Sequence, residues 1–332
     1  EERPDIDSIY MAFCQAFTGS GGWPTSIFMT PDQLPFFAGT YFPPHSRYGA
    51  VGFYELLQAI AEKWSTDRQS LISSAEEITE ALGDMKHEAG EINPELIEKA
   101  VSMFTKSFDE QYGGFGPPPK FPTPHNLLFL MAYSQVNGNN KALEMALSTL
   151  EHMRSGGIFD HIGYGFSRYS TDRYFLVPHF EKMLYDNALL IIAYTAAYAA
   201  TGKTEYLDTA EKTALYIHNE MTSSEGGFYS AQDADSEGEE GKYYLLLYDE
   251  ALAVLGDSAG KEFNDYYGIT REGNFDGRNI PNRINGIGEE GKMDRYLPVI
   301  YEYRSKRTRL NLDDKVLTSW NALMISAFAL LY

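Results

Sequence analysis

Residues 156–187 have the sequence GGIFDHIGYGFSRYSTDRYFLVPHFEKMLYDN, and this stretch indicates both the fold and the place of the chemistry. It starts with two glycines, continues through closely spaced rings and charged groups, and enters a helical pattern at about residue 182. That helix, to about residue 200, is apolar on nearly all sides, which is typical of an inner, buried helix. The titratable side chains of the stretch include Asp160, His161, Arg168, Asp172, Arg173, His179, Glu181 and Asp186. A loop of this content can hold a polar ligand between rings and charged groups.

The glycine pair recurs along the chain. Gly113-Gly-Phe115, Gly156-Gly-Ile-Phe159 and Gly226-Gly-Phe-Tyr229 each follow a predicted helix and precede polar or charged residues. Helix pairs repeated with such turns at one end favour a closed ring of helical hairpins, an α/α toroid, over the competing open solenoid. The turns of the ring would form a mouth at one rim. We expect this mouth to gather Lys120, Asp160, His161, Arg168, His179, Glu181, Asp233 and Asp235.

Apolar spacing predicts further helices in the same region. They start at Asn93-Pro94 and Thr123-Pro124 and cover about 140–153, 203–221, 248–255, 259–267 and 315–332, and 243–247 is a candidate strand.

The first part of the chain has a different pattern, in which helices flank a hairpin. Helices are predicted over about 7–17, 52–64 and 67–82, and strands over 25–30 and 34–42. The polar, glycine-containing stretch 83–93 separates the two patterns. The predicted fold class is therefore α+β followed by all-α, with a first domain at 1–83 and an α/α toroid at 93–332. The chain starts with Glu1 and stops inside an apolar helical pattern, so we expect a fragment with an incomplete toroid.

Composition excludes several kinds of partner. The formal net charge of -20 would repel phosphate backbones and anionic bilayers, so we expect no nucleic acid and no membrane partner. Cys14, the single cysteine, lies in an apolar context and is interpreted as a buried structural thiol. No signal peptide or membrane-spanning run is visible, which makes the cytoplasm the default compartment.

Cofactor and metal motifs are also missing from the sequence. One cysteine and scattered histidines give no zinc ligand set, and residues 233–240 lack the full calcium-loop pattern. The glycine pairs have no phosphate-loop context. We therefore expect no metal and no cofactor.

Six runs resemble a known family. They are Arg3-Pro-Asp5, Gly21-Gly-Trp-Pro24, Gly39-Thr-Tyr-Phe-Pro-Pro44, and the segments 176–188, 233–241 and 313–321. Together they are similar to the thioredoxin-domain-containing spermatogenesis-associated protein family, which joins a thioredoxin-like domain to a six-hairpin glycosidase-like toroid. The resemblance implies that residues 1–83 are the second half of the thioredoxin-like domain, with Pro24 as its structural cis-proline. It also implies that a cysteine pair lies upstream of Glu1 and that further toroid helices lie downstream.

At the level of fold, the toroid is similar to those of N-acylglucosamine and cellobiose epimerases. Ser167 stands where we expect a histidine of the family, and Gln232 where we expect an acidic residue. These departures weaken an inherited catalytic role.

Sugar epimerisation or isomerisation needs a base and an acid beside a carbonyl, and histidine suits both roles. The predicted catalytic residues are His161 and His179, oriented by Glu181 and Asp160. The alternative is that both histidines are hydrogen-bonded loop anchors. Glycoside hydrolysis would instead use carboxylate pairs such as Asp233 with Asp235, or Asp160 with Glu181.

A sugar-like ligand would also need binding groups. The predicted set is Arg168, Tyr164, Phe159, Asp186, Asp233, Asp235 and Trp320. The aromatic members could stack on sugar rings or belong to the core. Two hypotheses follow: an epimerase- or isomerase-like enzyme, and a thioredoxin-like redox or ligand-binding protein whose toroid is non-catalytic. In the second, the thioredoxin-like domain would engage a protein partner.

Overall fold

The computed structural model describes residues 2–83, 93–286 and 288–332. The chain divides into two compact units, Glu1–Ile92 and Asn93–Tyr332, called here the N-terminal and C-terminal units. The predicted linker at 83–93 falls largely outside the described residues.

The N-terminal unit is a β-hairpin flanked by helices. Its elements are α1 (Pro4–Thr18), β1 (Ser26–Met29), β2 (Pro35–Gly39), α2 (Phe53–Thr66) and α3 (Arg68–Gly83). The strands are antiparallel, with Ser26 opposite Gly39. Helices α1 and α3 pack against β2. The Cys14 thiol is fully buried beside Phe13 in this core, and the Trp23–Pro24 peptide bond is cis.

The C-terminal unit is mostly helical, with short strand pairs between its helices. Its elements are α4 (Glu95–Ser107), α5 (Pro124–Asn137), α6 (Asn140–Ser155), β3 (Tyr169–Ser170), β4 (Pro178–His179), β5 (Lys182–Met183), α7 (Leu184–Thr201), α8 (Thr204–Glu220), β6 (Ala231–Gln232), β7 (Asp235–Ser236), β8 (Glu239–Glu240), α9 (Tyr248–Leu255), α10 (Asp257–Tyr266), α11 (Leu297–Ser305), β9 (Leu312–Asp313) and α12 (Thr318–Leu331).

The long helices form an arc of an α/α toroid. Helix α7 packs against α5 on one side and α12 on the other, which makes these three the inner row. The outer helices α6 and α8 pack against α5 and α7 respectively. Residues of α7 are buried around most of its circumference, because neighbours cover it on several sides. The fold is therefore α+β followed by all-α.

Local signals explain where the toroid helices begin and end. Pro124 opens α5, where its missing N–H costs nothing. The side chain of Asn139 accepts a hydrogen bond from the Ala142 N–H at the start of α6. Gly202 ends α7 with φ of 71°, a left-handed conformation that favours glycine.

Residues 221–317, called here the insertion, separate α8 from α12. Helices α9, α10 and α11 pack together around a small core of their own that includes Phe263 and Ile300. Helix α11 was not predicted, and the candidate strand at 243–247 does not form. That segment makes turns and a single bridge between Leu246 and Asn279.

Candidate functional site

The start of α7 is built by short strands that bring distant side chains together. Strand β3 pairs with β4 so that Tyr169 lies opposite His179. The Arg168 N–H donates to the Glu181 carbonyl at 2.7 Å, which holds the two chain segments side by side. A bridge between Lys120 and Ser170 places Phe121 next to Tyr169. The inner helix thus begins beside a cluster of rings and charges.

His179 is the centre of this cluster. Its Nδ1 lies 2.6 Å from Oε1 of Glu240, and its Nε2 lies 3.6 Å from Oε2 of Glu181. The ring stacks on Tyr169 with centroids 5.1 Å apart, and the ring of Phe121 lies at a tilt to Tyr169 with centroids 4.7 Å apart. We call Phe121, Tyr169, His179, Glu181 and Glu240, together with Arg168, the His179 cluster.

The charges of the cluster support one another. Contacts with Glu181 and Glu240 raise the pKa of His179 against the opposing effect of burial. His179 in turn lowers the pKa of Glu181, and Arg168 assists by donating to Glu181 at 2.7 Å. The imidazole is 29% exposed and the carboxylate of Glu181 is 26% exposed. A ligand can therefore reach an imidazole of raised pKa and a carboxylate of lowered pKa that lie next to each other.

Asp160 lies elsewhere, in a buried ion triad with Lys182 and Arg304. Arg304 donates to both carboxylate oxygens at 2.8 and 2.7 Å, and Nζ of Lys182 lies 3.0 Å from Oδ2. Burial alone would raise the pKa of Asp160, but attraction from Arg304 and Lys182 outweighs it and holds the pKa well below its usual range. Burial also lowers the pKa of Lys182 to about 8. With side chains at most 8% exposed, the triad joins the insertion to the toroid arc.

Gln232 and two tyrosines adjoin the triad. The side-chain oxygen of Gln232 accepts hydrogen bonds from the hydroxyls of Tyr216 and Tyr244 at 3.1 and 3.2 Å. A neutral amide therefore occupies the buried position where an acidic residue was expected.

His161 faces a different environment from His179. Its Nε2 donates to the Gly156 carbonyl at 3.0 Å, and its ring packs against Phe159 and Tyr267. Burial lowers the pKa of His161 to about 4. Within the described residues, no contact joins His161 to His179.

The prediction that eight side chains share one mouth of the toroid is wrong for three of them. Lys120 and His161 are buried, the side chain of Asp160 is 8% exposed, and all three bind other partners. Asp160 and His161 belong to the loop after α6, which packs tightly. A Cβ at Gly156 would lie 2.1 Å from the Phe175 carbonyl oxygen, so this glycine permits a close backbone approach and not an open rim. Lys120 is held by Asp109 at 2.8 Å.

The predicted binding residues divide among several places. Arg168 belongs to the His179 cluster, whereas Phe159 and Tyr164 line a cavity with His161. Trp320 is 7% exposed and packs edge-on against Tyr185, so it is a core residue. Asp186 is buried in the first turn of α7, and Asp233 and Asp235 are exposed.

Sequence reasoning missed Glu240, Phe121 and Arg304. Glu240 reaches His179 from the β7–β8 hairpin, 61 positions along the chain, and nothing local marks that contact. The structure assembles no group of three or more metal-ligating side chains from the residues it describes. In that same part of the chain, no helix is both long and apolar enough to cross a membrane.

Comparison with known proteins gives relatives for the whole chain. Residues 1–83 match the family model described as "Protein of unknown function, DUF255". Spermatogenesis-associated protein 20 of Mus musculus is 36% identical over 99% of this chain and 48% of its own length. The Homo sapiens protein of the same name is also 36% identical, with the same coverage. The chain thus spans about half the length of these curated relatives.

Solved structures show weaker likenesses. A sugar epimerase from a ruminal bacterium matches with a TM-score of 0.38 and 20% identity, over 42% of this chain and 40% of that one. A cellobiose 2-epimerase from Spirochaeta thermophila matches with a TM-score of 0.36 and 22% identity, over 41% and 39%.

Proposed function

Because the chain belongs to the thioredoxin-domain-containing spermatogenesis-associated protein family, we propose that its C-terminal unit is a sugar-active enzyme unit of the epimerase or isomerase type. The reaction would take place at the His179 cluster. The N-terminal unit, which is thioredoxin-like, would bind a protein partner. The compartment we propose is the cytoplasm.

One observation carries the proposal: a partly exposed imidazole lies between two carboxylates and against a pair of aromatic rings. Phe121 is 49% exposed and offers an apolar face beside the charged groups. Sugars present both C–H faces and hydroxyls, so a ring of this kind next to carboxylates and Arg168 suits them.

The chemistry is a proton exchange at the carbon beside a carbonyl. Glu181, held ionised by Arg168 and His179, would accept the proton as the C–H bond breaks and the bonding electrons move towards the carbonyl oxygen. His179, whose pKa is raised by the two carboxylates and which lies 3.6 Å from Glu181 on the same side of the sugar, would donate a proton to that oxygen, so that an enediol forms. Transfer of the proton of the neighbouring hydroxyl to His179, and of the Glu181 proton to the former carbonyl carbon, would complete an isomerisation and restore both groups. Positioned proton transfer of this kind contributes about 10² to 10⁴ in rate.

A second candidate is ligand binding without turnover. It is favoured by the engagement of both His179 nitrogens with carboxylates, an arrangement that also serves a purely structural ion pair.

The deciding experiment follows deuterium exchange by NMR. The full-length protein is incubated in D2O with aldoses, ketoses and N-acyl sugars, and loss of the proton beside the carbonyl is recorded. We expect exchange with at least one sugar class, and a loss of about 10² or more in rate for His179→Gln. His218→Gln is the matched control, because His218 is exposed on outer helix α8. Exchange that survives in the folded His179→Gln protein, or is absent with every sugar, would rule out the enzyme proposal.

A further inference from the structure

A cavity of about 240 Å³ lies on the outer side of the toroid arc, between helices α6 and α8 and the insertion. Its lining includes His161, Phe159 and Tyr164 from the loop after α6, and Tyr266 and Arg283 from the insertion. Pockets for drug-sized ligands are typically about 300 Å³ or larger, so this one suits a molecule the size of a single sugar ring. None of the His179 cluster lines it.

The charges of this cavity are arranged by depth. Arg154 and Lys212 are 12% and 21% exposed, whereas the carboxylates that pair with them are 43–50% exposed. These carboxylates belong to Glu151 and Glu290 for Arg154, and to Asp208 and Asp294 for Lys212. The interior is therefore cationic and the entrance is anionic.

Of the three cations that line this cavity, Arg283 is the one that has no carboxylate partner among the described residues. Its guanidinium stacks on Tyr266 with Cζ 3.8 Å from the ring centroid, and it bonds the Tyr266 hydroxyl and the Gly288 carbonyl. Its Nε is buried and bonds no described atom. The side chain is only partly buried, and no carboxylate of the described residues competes for it, so an anionic group that enters the cavity can form charge-assisted hydrogen bonds to the guanidinium.

His161 supplies a hydrogen-bond acceptor to the same cavity. The Gly156 carbonyl can only accept a hydrogen bond, so Nε2 of His161 carries the proton and Nδ1 of the neutral ring is unprotonated. No hydrogen bond to Nδ1 is made within residues 2–83, 93–286 and 288–332. Because burial lowers the pKa of this ring to about 4, it stays neutral near pH 7 and can accept from a hydroxyl.

We propose that this cavity is a second ligand site, separate from the His179 cluster, for a small hydroxylated monocarboxylate of uronic-acid size. The carboxylate engages Arg283, a hydroxyl donates to His161, and the C–H face of the ring lies among Phe159, Tyr164 and Tyr266. A single negative charge fits better than two, since the carboxylates at the entrance repel a dianion. The site stands whether or not the His179 cluster catalyses proton exchange.

Titration calorimetry of the full-length protein tests the assignment with D-glucuronate, D-glucose and D-glucose 6-phosphate as probes. We expect glucuronate to bind at least tenfold more tightly than glucose, and more tightly than glucose 6-phosphate. Arg283→Met is expected to weaken glucuronate binding at least tenfold, as loss of a charged hydrogen bond does. Arg283→Lys keeps the positive charge but loses the planar guanidinium that can bind both carboxylate oxygens, so it should weaken glucuronate binding less than Arg283→Met does.

The matched control is Arg271→Met, because Arg271 also stacks on a tyrosine, with Cζ 4.3 Å from the Tyr248 ring, but is 62% exposed and paired with Asp249. Glucuronate affinity should be unchanged in Arg271→Met and in His179→Gln, which separates this site from the proposed reaction. The assignment is overturned by undetectable glucuronate binding, by preference for the sugar phosphate, or by unchanged affinity in a folded Arg283 variant.

Discussion

Replacing Asp160 by asparagine should destabilise the C-terminal unit far more than a change of one charge on the surface. The substitution keeps the shape of the side chain but leaves Lys182 and Arg304, each 2% exposed, without their shared counter-ion. Breaking a buried ion pair by removing one partner costs about 3–5 kcal/mol. At about 2–4 °C per kcal/mol for a unit of this size, the midpoint of thermal unfolding should fall by roughly 6–20 °C.

The assay is urea unfolding followed by the fluorescence of Trp320. Trp23 and Trp64 lie in the N-terminal unit, so a background with both changed to phenylalanine reports on the C-terminal unit alone. Asp249→Asn is the control, because Asp249 is 76% exposed and its pairing with Arg271 should contribute less than about 1 kcal/mol.

A further variant isolates the pairing itself. In Asp160→Asn with Arg304→Met, one of the two uncompensated cations is gone, so the double variant should be more stable than the sum of its single changes by about 1–3 kcal/mol. The reasoning is refuted if Asp160→Asn costs no more than Asp249→Asn. If it abolishes sugar exchange while stability is unchanged, Asp160 acts in the reaction and not in the packing.

Three other predictions follow from the same structure. Folded His161 has a pKa of about 4, whereas the unfolded ring protonates near pH 6.5, so the free energy of unfolding should fall by roughly 3 kcal/mol as the pH drops from 6.5 to 4. Urea unfolding across this range should show a weaker dependence of that free energy on pH for His161→Gln. An equal dependence in the two proteins would contradict the low pKa of His161. Glu240→Gln removes the carboxylate on Nδ1 of His179, so the pKa of His179 measured by NMR titration should fall; an unchanged pKa would show that Glu240 does not hold the proton. Gly165→Ala should cost about 2–5 kcal/mol in urea unfolding, because φ is 76° and the new Cβ would lie 2.4 Å from the Tyr216 ring, and a neutral effect would show that the ring can move.

The toroid arc could be predicted from the sequence because its signals are local. The nearly continuous apolar surface of α7 reflects burial by α5, α8 and α12, and the proline and asparagine at the starts of α5 and α6 act within a few residues of themselves. Each of these features leaves a mark within a short window of the chain. Helix α11 was missed because its short sequence buries Leu297, Ile300 and Arg304 without a strong apolar period.

The candidate site was predictable only in part. The spacing His179-x-Glu181 placed both side chains on one face of an extended segment, and the structure holds them 3.6 Å apart. The partner of Asp160 is 144 positions away, and ion pairs at such separation leave no trace in either local sequence. The position of His161 depends on how tightly the glycines after α6 approach Phe175 and Leu176, a property of the folded chain.

The triad also has a consequence for how the family can change over generations. Loss of Asp160 alone leaves two buried cations without a counter-ion. Loss of Arg304 or Lys182 alone removes one of the two positive charges that neutralise the aspartate. Replacement of all three by apolar residues of similar volume, by contrast, can be neutral or stabilising. Substitution of one member of the triad alone is therefore selected against. We expect descendants of this chain to keep the three residues together or to lose them together, so their histories should be linked although 144 positions separate the first from the last.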